Sequence, residues 1–225
     1  MPVTAGKQFT SERDIGPLDA TERERLRYAV AAVVAEHGYE GATVSRVAER
    51  AGLPRAALDA LSADMAGCLL AAYDDAVDHI LSLIAGASSA GVTPQERFRL
   101  GLGAFLRFCV YEPELAHMCL VDVNAAGSPS LARRSDAIKR IARLIESEAP
   151  ARGPRPAEPD EAAPADMPER QPTLVAVMLV GAVHHLAGTR VAAGQAGQLT
   201  QLAPEIERAL APLVETIAAP SSGGR

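Results

Sequence analysis

Apolar residues recur at helical spacing through most of the chain, and start and stop signals divide them into segments. The first stripe is Leu26, Val30, Val33 and Val34. Thr21-x-x-Glu24 reads as its capping box, Gly38 as its end, and Tyr39 as a wedge packing back on the core. Thr43 predicts the next N-cap, followed by Val44, Val47 and Ala48 at helical spacing. Gly52 stops that helix, Pro54 starts another at its first position, and Ala57, Leu58 and Leu61 give the new helix an apolar face. Two short helices around a glycine turn make a helix-turn-helix, against which the first stripe buries. Such a unit either places its second helix in a DNA major groove or serves as an ordinary helical hairpin in a core.

A long helix is predicted from Asp64, after Ser62, to Ile84, with Met65, Leu69, Tyr73, Val77, Ile80 and Leu81 along it. It spans roughly 30 Å, enough to join a head to a separate body. The small and polar residues from Gly86 to Gly91 close it. Thr93-Pro94-Gln95-Glu96 caps the next helix, whose stripe is Phe98, Leu102, Phe105, Leu106 and Cys109 and which stops before Pro113. A shorter helix runs from Glu114 towards Asn124 and closes at Gly127. Ser128-Pro129 opens another, with Leu131, Ile138, Ile141, Leu144 and Ile145 inward and Arg133, Arg134, Lys139, Arg140 and Arg143 on a solvated outer face. Arg23, Arg25 and Arg27 read in the same way as a solvated face, with one of them near a phosphate.

The last two helices are predicted over 173–193 and 204–218. The first sets Gly181, Ala182, Ala187 and Gly188 among Leu174, Val177, Met178 and Leu186; the second carries Ile206, Leu210, Leu213, Val214 and Ile217. They hold more apolar surface than one thin body covers. A four-helix interface across a two-fold axis, with a homodimer formed through about 173–218, would bury it. That symmetry also suits two reading heads set roughly 34–36 Å apart. Seven of the sixteen prolines fall between 149 and 172, which predicts a disordered loop on the body. Residues 1–19, with Pro2, Gly6, Gly16 and Pro17 among charges, read as a disordered arm. The organisation is therefore an arm at 1–19, a head at 20–63 and a helical body at 64–220.

Composition agrees with an all-α fold. The 225 residues are 48% hydrophobic but only 4% aromatic, without tryptophan, so the core is built from Ala, Leu and Val. The net charge of -6 shows no basic surplus of the kind nucleic-acid binding usually brings, and the first 65 residues carry eight Lys or Arg against ten Asp or Glu. Cys68, Cys109 and Cys119 are scattered and odd in number, which fits buried thiols in a reducing compartment. Lys7, Glu12, Arg13 and Asp14 interrupt any signal-like run. The nearest apolar stretch, Leu174 to Leu186, is too short for a span and carries His184 and His185. A cytoplasmic protein without a membrane partner is expected.

Candidate chemistry is sparse. His184 and His185 are adjacent, so on a helix they point about 100° apart and cannot share a metal as an i, i+4 pair does. One of them is a pocket polar group or an interface residue. Cys109, His117 and Cys119 lack any short ligand spacing. With no phosphate-cradling glycine loop, no Gly-x-Ser-x-Gly and no clear paired-carboxylate site, neither an enzyme, a cofactor nor a metal site is expected. Phe105, Phe108, Tyr111, Met118 and Met178, with Cys109 and His184, are candidates to line an apolar pocket, or are plain core.

The run Ala35-Glu36-His37-Gly38-Tyr39-Glu40-Gly41-Ala42-Thr43-Val44, followed by Val47-Ala48-Glu49-Arg50-Ala51-Gly52-Leu53, resembles the TetR family of bacterial one-component repressors. Cys68-Leu69-Leu70-Ala71-Ala72-Tyr73-Asp74 is similar to the start of the fourth helix in an actinobacterial branch of it. The motif likeness covers residues 21 to 80. It implies an all-helical homodimer: an N-terminal three-helix helix-turn-helix domain that binds a double-stranded DNA operator, and a C-terminal helical domain for ligand binding and dimerisation. A small apolar effector in the body would shift the long helices and change the spacing of the heads. On this plan Thr43, with the helix N-terminus behind it, holds a phosphate. Arg55 reads a base or phosphate, Ala57 or Ala60 touches a thymine methyl, and Arg46 contacts phosphate. Ser45, Pro54, Ala56 and Asp59 complete the contact face. Arg50 contacts phosphate or pairs with Glu36 or Glu49.

Three positions depart from the family pattern. Asp59 stands where a phenol would bond phosphate, Ser62 where a Phe is common, and Met65 where a Lys is common. These remove phosphate contacts and bring a negative charge towards the backbone. The expected function is a ligand-responsive repressor. The alternative is a dimer that keeps the ligand or protein-binding body but reads DNA weakly or not at all.

Overall fold

The computed structural model describes residues 18–62, 64–147 and 171–219. The arm expected at 1–19 and the loop expected at 149–172 lie outside the described residues, except for the last two residues of each.

The head is three helices. α1, Ala20–Gly41, is capped by Asp19, whose carboxylate accepts from Glu22 N at 2.8 Å while Glu22 Oε2 accepts from Asp19 N at 3.1 Å. The capping box thus sits two residues before the expected Thr21-x-x-Glu24, in keeping with the stronger capping preference of Asp. Gly38, at φ +67°, breaks the helix as its sequence position predicts. α2, Val44–Ala51, is capped by Thr43 and ends at Gly52 in the left-handed region (φ 62°). α3, Arg55–Leu61, follows Pro54. Val30, Val47 and Leu58 are fully buried where the three helices meet. Leu58 is the one buried residue of α3; Leu61 is 44% exposed, because so short a helix presents only one turn to its neighbours.

α4, Met65–Ser88, is the axis of the molecule and begins at an Asp64 cap. At 24 residues it is about 36 Å long, one turn longer than expected. It packs on α1 at the head end and on α5, Pro94–Tyr111, over much of its length. Gly101 allows that approach: a Cβ there would stand 2.6 Å from Ser88 Oγ and 3.1 Å from Ile84 Cγ2. The Thr93/Glu96 capping box forms as expected. α6, Pro113–Leu120, gives way to a 3-10 segment, Asp122–Ala126, that ends at Gly127. The body is completed by α7 (Ser128–Ser147), α8 (Leu174–Ala192), a 3-10 segment (Ala196–Leu202) that periodicity did not predict, and α9 (Ala203–Ala218).

Charged residues tie α4 down on two sides. Arg27 of α1, expected on a solvated face, has a side chain only 8% exposed, and it donates to Asp75 Oδ2 at 2.7 Å. On the other side Arg133 and Arg140 of α7 pair with Asp74 and Asp78. The outer face of α7 is therefore a seam against α4 as well as a solvated surface, and Leu131, expected inward, is 64% exposed. Among the described residues no strand occurs and no three His, Cys, Asp or Glu side chains are placed to hold a metal.

α8 runs on past Leu186 to Ala192, so by length and composition it is long enough to cross a membrane, contrary to the shorter stretch read from sequence. Only 28% of its most apolar window is buried, and Leu174 and Met178 are 74% and 55% exposed.

Candidate nucleic-acid interface and body cavity

The expected DNA-contact residues form the exposed side of α2 and α3. Thr43, Ser45, Arg46, Pro54, Arg55, Ala56, Asp59 and Ala60 are all exposed, and Ala57 is half-buried. Thr43 Oγ1 accepts from Arg46 N at 3.3 Å, and the Arg46 guanidinium folds back to donate to Gly41 O. Arg55 joins the two helices: Nε donates to Asp59 Oδ1 at 2.7 Å and Nη1 to Ser45 Oγ at 2.6 Å. The carboxylate of Asp59, expected to face the DNA backbone, is thus engaged by the arginine one turn before it. Arg50 donates to Glu36 Oε1 at 2.6 Å, which holds the Glu36 carboxyl below its ordinary range. Ser62 donates to Asp64 O at 3.2 Å, and Met65 packs half-buried on the core.

Periodicity did not single out Arg25. It is exposed on α1, and a Cβ at Gly52 would lie 3.6 Å from its Nη1, so its guanidinium reaches the α2–α3 turn. Only the fold brings it there, because α1 crosses behind the reading pair.

The body contains an apolar cavity between the end of α4, the start of α5, and α7, α8 and α9. Its space is about 800 Å³ counted to the open mouth. Of the expected pocket residues, Phe105 and His184 line it. Phe108, Cys109 and Met118 do not; they are buried core, with Phe108 edge-on to His79 at 6.3 Å. Tyr111 and Met178 face outward, the former 78% exposed. The expectation centred on the Pro113 end of α5, whereas the cavity lies at the opposite end, with Ile84, Phe98, Leu102, Ile141 and Leu179 in its wall. The Phe98-Leu102-Phe105 spacing was the available signal for it.

Ser88, Arg97 and His184 are the polar side chains of the wall. Arg97 is turned towards the α4–α5 connection, donating to Gly91 O at 3.0 Å and Val92 O at 3.4 Å. His184 is pushed down to about 4, first by burial, then by Arg134 and His185. Its imidazole is neutral at pH 7, with one nitrogen able to donate and one to accept. Burial likewise raises the Cys109 thiol to about 12, leaving it an inert core group. His117 Nδ1 stands 2.7 Å from Asp122 Oδ2. A further polar joint links head and body, where Tyr28 of α1 donates to Glu112 Oε2 at 2.7 Å and His79 of α4 lies 3.5 Å from Glu112 Oε1.

A helix-turn-helix head on a long helix that reaches a body cavity is an architecture shared with solved transcriptional regulators. No protein-family profile and no curated protein matches the chain. Solved structures do. FadR of Bacillus subtilis, a transcriptional regulator solved in complex with stearoyl-CoA, superposes with a TM-score of 0.64 at 14% identity, over 83% of this chain and 96% of its own. A transcriptional regulator from Rhodococcus sp. RHA1 is 27% identical, with a TM-score of 0.57 over 87% of this chain and 95% of its own. A bacterial regulatory protein of the TetR family, also from Rhodococcus RHA1, gives 0.56 at 15% identity over 90% and 100%. The fold is that of TetR-family transcriptional regulators over most of the chain, as the resemblance in residues 21 to 80 implies.

Proposed function

We propose that the chain is a homodimeric repressor that binds an operator through α2 and α3 and is released from it when a chain-like apolar ligand fills the body cavity. The observation that carries this reading is the double contact of α4. Ile84 and Ser88 of that helix line the cavity, while its Asp75 holds Arg27 of the head. A ligand that prefers one setting of α4 therefore favours one setting of the reading helices. The apolar wall suits a hydrocarbon chain, and the stearoyl-CoA held by the similar Bacillus subtilis regulator supports that ligand class. The neutral imidazole of His184 offers one hydrogen bond to a polar group of the ligand. The exposed apolar side of α8, with α9, forms the dimer interface around a two-fold axis, which accounts for a helix that the single chain leaves largely uncovered. Such a regulator works in the cytoplasm, where the operator is.

The test is selection of duplexes from a random library by the purified full-length chain, followed by titration of the selected duplex with stearoyl-CoA and with a free long-chain fatty acid. The expected result is a palindromic sequence whose complex dissociates on ligand addition. If no sequence is enriched, the regulator reading fails and a ligand-binding dimer without DNA readout replaces it. If a sequence is enriched but neither probe releases it, the ligand class falls and the DNA-binding reading stands.

A further inference from the structure

We infer that Arg55 and Asp59 form a buttressed guanine reader, in which Asp59 and Ser45 position the guanidinium and thereby set the base preference of α3. The inference rests on the DNA-binding reading above and goes beyond it to a particular base and to the residues that select it.

Arg55 is the one cation on α3. An arginine at the start of an exposed helix normally samples many rotamers and loses that freedom on contact with DNA. Here the fork is held from two helices: Nε by Asp59, one turn along α3, and Nη1 by Ser45 on α2. Nη2 makes no hydrogen bond to a described residue, and the Arg55 and Asp59 side chains stay 47% and 50% exposed. The inference has Ser45 take the Cδ-side proton of Nη1, which leaves the outer end of the fork, Nη2 with the second proton of Nη1, open to a base. It presents two parallel donors. In the major groove guanine presents two acceptors side by side, O6 and N7, and no other base offers that pair. Adenine sets a donor beside N7, so the second N–H of the fork would face another N–H.

The carboxylate has a second effect. It lowers the net attraction of α3 for the phosphate backbone, which pulls on every sequence alike. The pair thus gives up sequence-independent affinity and gains a donor pair held from two helices. An Asp at position 59 that only cancelled the charge of Arg55 would do the first without the second, and the two roles separate by experiment.

The experiment uses the full-length chain and the selected operator, with every guanine of a half-site replaced in turn by adenine and affinities measured at one fixed buffer composition. One guanine per half-site should be sensitive, its replacement weakening binding by roughly tenfold or more. Arg55→Lys should remove most of that preference. Asp59→Asn should bind random duplex as well as or better than the wild type, yet lose several-fold of the guanine-to-adenine ratio. Asp59→Glu, which can still reach Arg55 across one turn, should restore the ratio, and Ser45→Ala should lower it by a smaller factor. Unchanged far-ultraviolet dichroism confirms that the exposed substitutions leave the fold intact. Failure of the wild type to enrich any sequence overturns both readings. An enriched operator with no Arg55-dependent guanine overturns this inference alone. An Asp59→Asn chain that binds all duplexes more tightly with an unchanged ratio shows charge cancellation only and overturns the positioning role.

Discussion

His184 makes acid stability a direct probe of the cavity wall. Its folded-state value of about 4 lies below its ordinary 6.5, because burial among apolar residues disfavours the imidazolium and Arg134 and His185 add like charge. Between those two values the unfolded chain binds a proton that the folded chain refuses. The contribution to stability is therefore complete above pH 6.5 and is lost as pH falls towards 4. The full difference corresponds to about 3 kcal/mol, and about 2 kcal/mol of it disappears between pH 7 and pH 5. Replacing His184 with Leu removes this site without adding a titrating group. Urea unfolding of wild type and His184→Leu at pH 7, 6 and 5, followed by dichroism, gives both slopes, and carboxylates common to both chains cancel in the comparison. The variant should lose about 2 kcal/mol less than the wild type on going from pH 7 to 5. Parallel losses in the two chains, or a His184 resonance titrating near its ordinary value, would refute the assignment of this imidazole to a desolvated wall.

Three further substitutions test the joints. Asp75→Ala removes the hydrogen-bonded carboxylate of the buried Arg27 guanidinium, leaving it Glu24 at 4.0 Å and the Tyr28 ring, and its Nε already lacks a partner, so a loss of about 3 kcal/mol in unfolding free energy is expected. Gly52→Ala forces a side chain into the left-handed turn between α2 and α3. Arg25 is the nearest obstacle at 3.6 Å, so the cost is mainly backbone strain of about 1–2 kcal/mol, read as a lower unfolding midpoint. Gly101→Ala drives a methyl against Ser88 and Ile84 in the cavity wall; it should cost about 1–3 kcal/mol and weaken uptake of a fluorescent fatty-acid probe.

Local signals carried most of the architecture. Thr43, Gly52 and Pro54 place α2, the turn and α3 because caps and left-handed turns depend on residues within a few positions. The Thr93/Glu96 box places α5 for the same reason. Expectations failed where the answer depends on what packs alongside. Arg27 and the arginines of α7 look alike in sequence, yet one is buried on Asp75 and others bridge to Asp74 and Asp78, which only the path of α4 decides. The cavity shows the same limit. Phe105 and His184 stand in its wall, but Phe108, Cys109 and Met118 fill space that the neighbouring helices close, while Ile84 and Leu179 bound a gap that no single helix reveals. On the exposed side of α2 and α3 the sequence shows which residues stand there but not their bonds. Asp59 looked like a charge set against DNA until its distance to Arg55 was known.

The two sides on which α4 is tied differ in their access to solvent. The pair with α1 is part-buried, with side chains 8% and 24% exposed, whereas Asp74–Arg133 and Asp78–Arg140 have side chains from 36% to 62% exposed. Mobile ions screen exposed pairs strongly and sheltered ones far less. Raising the ionic strength therefore loosens the grip of α7 on α4 while leaving Arg27 on Asp75, so the long helix gains freedom on the body side and keeps its hold on the head. On the proposed operator-binding function, a salt series would sum two effects, the release of counterions from DNA at a slope of about -0.9 per neutralised phosphate and a slackening of the protein's own connector.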